Sequence, residues 1–311
     1  MKTVLFVGDI NIDIIMGGLT TLPVVDREIT CSSYDVTLGS AAAICACAYA
    51  SLGGDASFAG LAGMDDDGEF MLRGMKSFGV NTDLVRRTHK VRTGVTVNLI
   101  YEDTRSQVTY PGTIAEYDGS ELTEELLGRF DHLHLAGPYQ QTRFRPRISV
   151  VLDLARRLGK TTSLDTQWDP TETWEFLDDW LPVLDYLFLN EDEALSFTGV
   201  ADPEKALLKL AGRTAMPVIK LGPRGALVIC DGQPVRIPAK KVEVVDTTGA
   251  GDTFDAAFLF GRLEKGMDVI AAARFGNAAA GRSCTFPGGV EARSSYEAVL
   301  EFIREKEDIE S

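Results

Sequence analysis

Short apolar runs recur along the chain with helix-length segments between them, and this alternation restricts the fold more than any other feature. The runs are KTVLFVGD (2–9), ASFAGLAG (56–63), HLHLAG (132–137), TTSLD (161–165), YLFLNE (186–191), MPVIKLG (216–222) and GALVIC (225–230). Stretches such as 147–158 and 203–210 have the length of helices. Strand and helix in alternation predict an α/β fold: a mostly parallel sheet sandwiched by helices. Ligands of such a sheet gather beyond the carboxyl ends of its strands.

Two regions break the alternation. REITCSSYDVT (27–37) and VRTGVTVNLIYEDTRSQVTY (91–110) interleave polar residues with Val, Thr and Tyr, as antiparallel strands with one exposed face do. They predict a small antiparallel β lid, built from insertions at about 16–37 and 91–112, over one end of a single domain spanning 1–311. Extra edge strands are the plainer alternative. Exposed strand faces also predict a homodimer formed through the lid strands.

At 311 residues and 45% hydrophobic, the chain can bury a large core. Its net charge of -15 repels phosphate backbones and anionic lipid, which argues against nucleic acid or membrane as a partner. The small-residue run at 40–50 is far shorter than the roughly 20 apolar residues that span a bilayer. Five scattered cysteines lack the spacing of a zinc site or a disulfide framework, which suits a reducing cytoplasm.

The stretch VVDTTGAGDTF (244–254) joins the end of an apolar run to an apolar-periodic segment that Asp252 opens. Gly249 and Gly251 admit backbone conformations closed to other residues, and Gly249, Ala250 and Gly251 leave room for an anion at the helix N-terminus. For a lone Asp252 the simple reading is a first-turn acid that stabilises the helix by about 1 kcal/mol. Beside a phosphate, the same carboxylate could take a proton from an attacking hydroxyl, although the helix terminus should hold its pKa low.

DTTGAGDTF (246–254) together with GDINID (8–13) resembles the signatures of the ribokinase-like carbohydrate kinases, the PfkB family, and the motifs occur in the family's order from Gly8 to Asn277. The resemblance implies an ATP- and Mg²⁺-dependent phosphotransferase acting on a sugar. Asp252 would be its base, and the backbone of Gly249, Ala250 and Gly251 its anion hole. Asn11 and Asp13 would bind sugar hydroxyls, with Gly39 and Ser40 of LGSAAAICACAYASLGG (38–54) in a second substrate segment. That segment departs from many relatives, which have Gly-Gly and then Asn where this chain has Gly39, Ser40 and Ile44. NEDE (190–193) implies Asn190 near the nucleotide phosphates and Glu193 holding Mg²⁺ through water, yet N-x-x-E is equally a helix capping box. KLGPRGA (220–226) implies nucleotide contacts from Lys220, Gly222 and Gly225, and RFGNAAAGR an adenine contact from Asn277. Asp246 and Thr248 would flank a monovalent cation such as K⁺, or only cap a turn.

The segments 8–16 and 38–44 contain no Lys or Arg, which favours an unphosphorylated, neutral sugar. In DTQWDPTETW (165–174), Asp169 stands where keto-acid kinases of the family tend to carry Arg, which disfavours a keto-acid sugar. A nucleoside kinase of the same family and a non-catalytic sugar- or nucleotide-binding regulator are the competing readings.

Overall fold

The structure, a computed structural model, describes residues 1–102, 104–286, 288 and 294–305. Its strands are β1 (Thr3–Val7), β2 (Asn11–Gly17), β3 (Ser33–Leu38), β4 (Asp55–Gly63), β5 (Asn81–Thr88), β6 (Gly94–Tyr101), β7 (Thr104–Tyr110), β8 (His132–Ala136), β9 (Thr161–Asp165), β10 (Tyr186–Asn190), β11 (Pro217–Lys220), β12 (Ala226–Cys230) and β13 (Gln233–Ile237). Nine of them form one sheet in the order β13-β12-β11-β10-β9-β8-β1-β4-β5. All its pairings are parallel except β11–β12 and β12–β13.

The unbroken apolar runs follow from burial on both faces. Successive residues of a strand point to opposite sides, so β1 sends Val4 and Phe6 into one helical layer and Leu5 and Val7 into the other. The first layer holds the small-residue helix Ala41–Ser51 and the helices Ala250–Leu263 and Val269–Ser283; the second holds Ile148–Arg157 and Pro203–Ala211. Truncating a residue such as Leu5 to Ala would cost about 2–5 kcal/mol. β12 runs antiparallel because only 221–225 separate it from β11, too few residues for a crossover.

The remaining strands form a smaller sheet in the order β3-β2-β6-β7. Its β2–β6 pair is parallel and its outer pairs are antiparallel. β2 enters this sheet directly from β1 of the large one, with only Gly8, Asp9 and Ile10 between. β3 begins at Ser33, and the polar stretch 27–32 forms no strand.

The pleat sorts the small sheet's residues. Asn11, Thr96 and Thr109 lie on one face, where Asn11 Nδ2 donates to Thr96 Oγ1 (3.2 Å) and the two threonine hydroxyls bond each other at 3.1 Å. The row Val36, Ile14, Val97 and Val108 crosses all four strands on the other. The helix Asp66–Ser77 covers part of that apolar face near Leu38, whereas Tyr34, Val108 and Tyr110 stay exposed. Thr93 ties the start of β6 to the large sheet: its Oγ1 donates to Asp65 Oδ1 (2.7 Å) and accepts from Gly63 N (2.9 Å).

The last helix is Tyr296–Arg304. Of the tail EFIREKEDIES, read from sequence as a fraying helix end, 306–311 lie outside the described residues. Among the described residues no helix is long and apolar enough to cross a membrane.

Candidate active site

A cavity of about 420 Å³ opens beyond the carboxyl ends of β1, β8, β9, β10 and β11, where the sheet delivers Asp9, Gly137, Gln167, Asn190 and Lys220. The polar face of the small sheet forms its other wall, with Asp13, Thr96, Arg105, Gln107 and Thr109. The floor is the glycine bend. Gly249 takes a left-handed φ of 69° as N-cap of the helix Ala250–Leu263, and Asp252 lies in that helix's first turn.

The structure brings most of the sequence-derived residues to this cavity. Asn11, Asp13, Ser40, Asn190, Glu193, Lys220, Gly222, Thr248, Gly249, Gly251 and Asp252 all line it. Ile44, at the position where many relatives carry Asn, lines it as well. Ser40 holds a left-handed φ of 69° and fixes the corner: its hydroxyl donates to Asp9 O (2.7 Å) and caps the next helix by accepting from Ala43 N (3.0 Å).

Other predicted residues act behind the wall. A Cβ on Gly39 would lie 2.4 Å from Asn11 Nδ2 and 2.5 Å from Asp13 Oδ1, so this glycine makes room for those side chains. Ala250 donates its N–H to Thr247 O (3.2 Å), which leaves the bend's anion-facing donors to Gly249, Gly251 and Asp252. A Cβ on Gly225 would lie 1.9 Å from Ile237 O, and Asn277 Nδ2 donates to that same carbonyl at 2.9 Å. Gly225 and Asn277 therefore clamp the end of β13 and lie outside the cavity lining. Asp246 caps its own turn through Thr248 N (2.8 Å) and also accepts from Gly288 N (3.0 Å).

Asn190 and Glu193 form the capping box that the spacing allowed: Glu193 N donates to Asn190 Oδ1 (2.9 Å) and Asn190 N to Glu193 Oε2 (2.8 Å). The box does not remove Glu193 from the cavity. Burial, then the Asp165 charge, raise its carboxyl to about 7.

Three residues that matter here, Asp169, Gln167 and Arg105, were missed or misplaced by sequence reasoning. Asp169 is turned into its own loop, where it accepts from Thr171 N (2.9 Å) and Trp174 N (2.7 Å), so it does not repel a substrate. Gln167 and Trp168 line the cavity instead. Arg105 brings a cation to the sugar side from β7, remote in sequence from the segments 8–16 and 38–44. Its signal was the period-2 set Arg105, Gln107, Thr109 on one strand.

The electrostatics also correct an expectation. The helix terminus was to hold Asp252 low, but burial pushes its carboxyl well above the usual range, and Asp165, Asp9 and Asp13 add to the push while Lys220 opposes it. Asp9 rises to about 6 through burial, and Asp13 to about 7 through burial and the charge of Asp9. Asp165 goes the other way: burial would raise it, but the Lys220 charge together with its hydrogen bonds outweighs burial and holds it at about 2. A raised Asp252 is a stronger proton acceptor once ionised.

The cavity suits a nucleotide and a hydroxyl acceptor together. Backbone donors at a helix N-terminus face one end, and hydroxyl-binding amides and carboxylates face the other. Oxygen donors from Asn190 and Glu193 fit a hard divalent cation, and no cluster of three or more His, Cys, Asp or Glu that could cage a metal occurs among the described residues. That pattern suits a Mg²⁺ carried mainly by phosphates. Asp246 and Thr248 also offer oxygens, but both Asp246 oxygens already accept backbone N–H groups.

A family model described as pfkB family carbohydrate kinase matches residues 1–294. The chain is 28% identical over 313 residues to a ribokinase of Haemophilus influenzae, covering 97% of this chain and 98% of that protein. It is 29% identical over 320 residues to an ATP-dependent ribose-1-phosphate kinase of Halopiger xanaduensis, covering 99% and 100%. Among solved structures it is similar to the ribokinase of Thermotoga maritima, with a TM-score of 0.79 and 26% identity, covering 98% and 100%.

Proposed function

The chain is a carbohydrate kinase of the pfkB family, and from that premise we propose that it transfers the γ-phosphoryl group of ATP to a hydroxyl of a neutral sugar, with Asp252 as the base. The observation that supports this most is the meeting, in one cavity, of Asp252, the glycine bend and the Asn11–Asp13 pair, which come from opposite ends of the chain.

Asn11 and Asp13 orient the sugar from the small sheet, and Asp252 accepts the proton of the reacting hydroxyl as its oxygen bonds to phosphorus. The bond from phosphorus to the bridging oxygen breaks, and ADP leaves with that electron pair. The N–H groups of Gly249, Gly251 and Asp252 receive the charge spread over the transferred oxygens. Glu193 and Asn190 would hold Mg²⁺, which when bound supplies further charge neutralisation on the phosphates. Asp246 and Thr248 would hold a monovalent cation through the oxygen lone pairs that their backbone bonds leave free. The small sheet acts as a lid that excludes water, its apolar face pairs two subunits, and the enzyme works in the cytoplasm.

Arg105 supports a second reading, an acceptor that carries a phosphate or carboxylate. A panel of sugars, ribose 1-phosphate and nucleosides, assayed for ATP consumption with Mg²⁺ and with or without K⁺, separates the readings. Turnover on a neutral sugar is the expected outcome; turnover on nucleosides alone would reject it. Asp252→Asn should lower kcat about 10²- to 10⁴-fold. A variant that keeps most of its turnover would remove Asp252 from the role of base.

A further inference from the structure

Behind the glycine bend lies an ion cluster that the proposed reaction does not use. Lys220 Nζ is 3.0 Å from Asp165 Oδ2 and 3.0 Å from Asp255 Oδ2. The lysine side chain is 13% exposed and the two carboxylates 1% each. The ammonium also abuts the bend: a Cβ on Gly251 would lie 3.3 Å from it. Asp255 follows Asp252 by three residues, which puts both on one face of the helix. Gln167 Nε2 joins the two groups, lying 3.1 Å from Asp165 Oδ2 and 3.3 Å from Asp252 Oδ1.

We propose that Lys220 is a positioning residue: a cation fixed behind the anion hole by Asp165 and Asp255, which favours the carboxylate form of Asp252 that can accept a proton. The inference rests on the kinase reading of the site. Asp252 is surrounded by acids, with Asp9 in the connector between β1 and β2, Asp13 on β2, Asp165 at the end of β9, Glu193 after β10 and Asp255 on its own helix. The buried thiol of Cys45 lies near the same carboxylates and is itself held protonated by burial and by those charges. Lys220 is the cation that opposes this field at Asp252. Without it, a base packed among carboxylates would hold its proton and have nothing to accept with. Burial would lower Lys220, but Asp165 and Asp255, with Glu193 and Asp252 behind them, together outweigh burial and keep it charged. Two of the ammonium's three donor positions are held inside the protein, and one is left on the side of the cavity that Lys220 lines.

The test is the dependence of kcat on pH at saturating ATP and acceptor, with the 13C resonance of the Asp252 carboxyl as a readout that needs no turnover. In Lys220→Met the acid limb should move to higher pH by about one unit or more, so that activity falls at least about tenfold further at pH 6 than at pH 8.5. The Asp252 resonance should titrate at correspondingly higher pH, with the KM for ATP changed little. Lys220→Arg keeps the charge and should leave the limb near its original position, whatever it does to kcat. Should Lys220→Met fail to fold with two buried acids uncompensated, Lys220→Met/Asp255→Asn removes cation and acid together and should show a smaller displacement of the same sign, because Asp165, Asp9 and Asp13 remain. An unmoved limb and unmoved resonance, or a rise in the KM for ATP alone, would overturn the proposal. A wild-type enzyme that phosphorylates no acceptor would reject the kinase reading instead, and the Asp252 resonance would still decide the role of Lys220.

Discussion

The large sheet is covered by helices on both faces, and its two histidines and Ser163 bond within the sheet; the small sheet has one polar face turned to the cavity and one apolar face that is partly bare. In the large sheet His132 bonds Thr161 Oγ1 (2.7 Å) and Ser163 Oγ (2.8 Å), and His134 shares Ser163 Oγ at 2.7 Å. Neither histidine has any solvent exposure. In the small sheet Asp13, Gln107 and Thr109 meet the cavity directly. One pleated geometry thus serves two ends. Sealed polar groups specify how strands register, while polar groups left open to a cavity are available for a ligand.

The largest effect that tests this contrast is acidification. Burial lowers His132 to about 3 and His134 to about 4, from an unfolded value of 6.5. Between 6.5 and those values the unfolded chain binds more protons, so the pair's contribution is complete above pH 6.5 and is lost as pH falls, at up to about 1.4 kcal/mol per pH unit for each histidine. The cavity acids act with the opposite sign: Asp9, Asp13 and Glu193 are raised to about 6, 7 and 7, so protonating them relieves the folded state. Denaturant unfolding at several pH values should therefore show the wild type losing several kcal/mol more than His132→Gln/His134→Gln between pH 6.5 and 4. Equal losses would mean that the histidines are not sealed in their neutral form.

A charge on the bare face comes next. Val108 is 64% exposed at the outer end of its apolar row. Val108→Glu should weaken a dimer through this face by about 100-fold or more while leaving the melting temperature of the subunit nearly unchanged. Sedimentation at micromolar concentration measures it, and a wild type that is already monomeric would remove the interface. The smallest effect is expected at the junction. Thr93→Val loses the hydroxyl between Asp65 and Gly63 and should cost about 1–2 kcal/mol in a thermal melt. It should raise the KM for the sugar a few-fold and hardly touch kcat, because it loosens the small sheet and spares the bend.

The strands that the sequence exposed to view are those packed between helices, such as β1 and β10, where an apolar run is barely interrupted, and β8, where two histidines alternate with apolar residues. β5 and β13 escaped because they lie at the two edges, where NTDLVRRT and QPVRI carry charge and proline that an edge tolerates. β2 escaped because its residues NID were read as a motif, although IDIIMG is a strand in composition. In the site, Asp252, Asn11 and Asp13 were legible because their neighbours in the chain form recognisable turns. Gln167, Arg105 and Asp255 were not, since each acts on a group far away in sequence. The raised proton affinity of Asp252 was illegible for the same reason: the helix terminus is local, whereas Asp165, Asp9 and Asp13 arrive through the fold.

Only Gly8, Asp9 and Ile10 separate the strand that belongs to the large sheet from the one that belongs to the small. Asn11 and Asp13 lie on the far side of this short strap, and Asp252 on the near side. Under the proposed function, any swing of the small sheet would carry Asn11 and Asp13 along with it and leave Asp252 and the glycine bend standing still. The acceptor would then be a passenger, delivered to the phosphoryl group by the same movement that shuts the door on water, and a hydroxyl that Asp13 had not gripped would not be delivered at all.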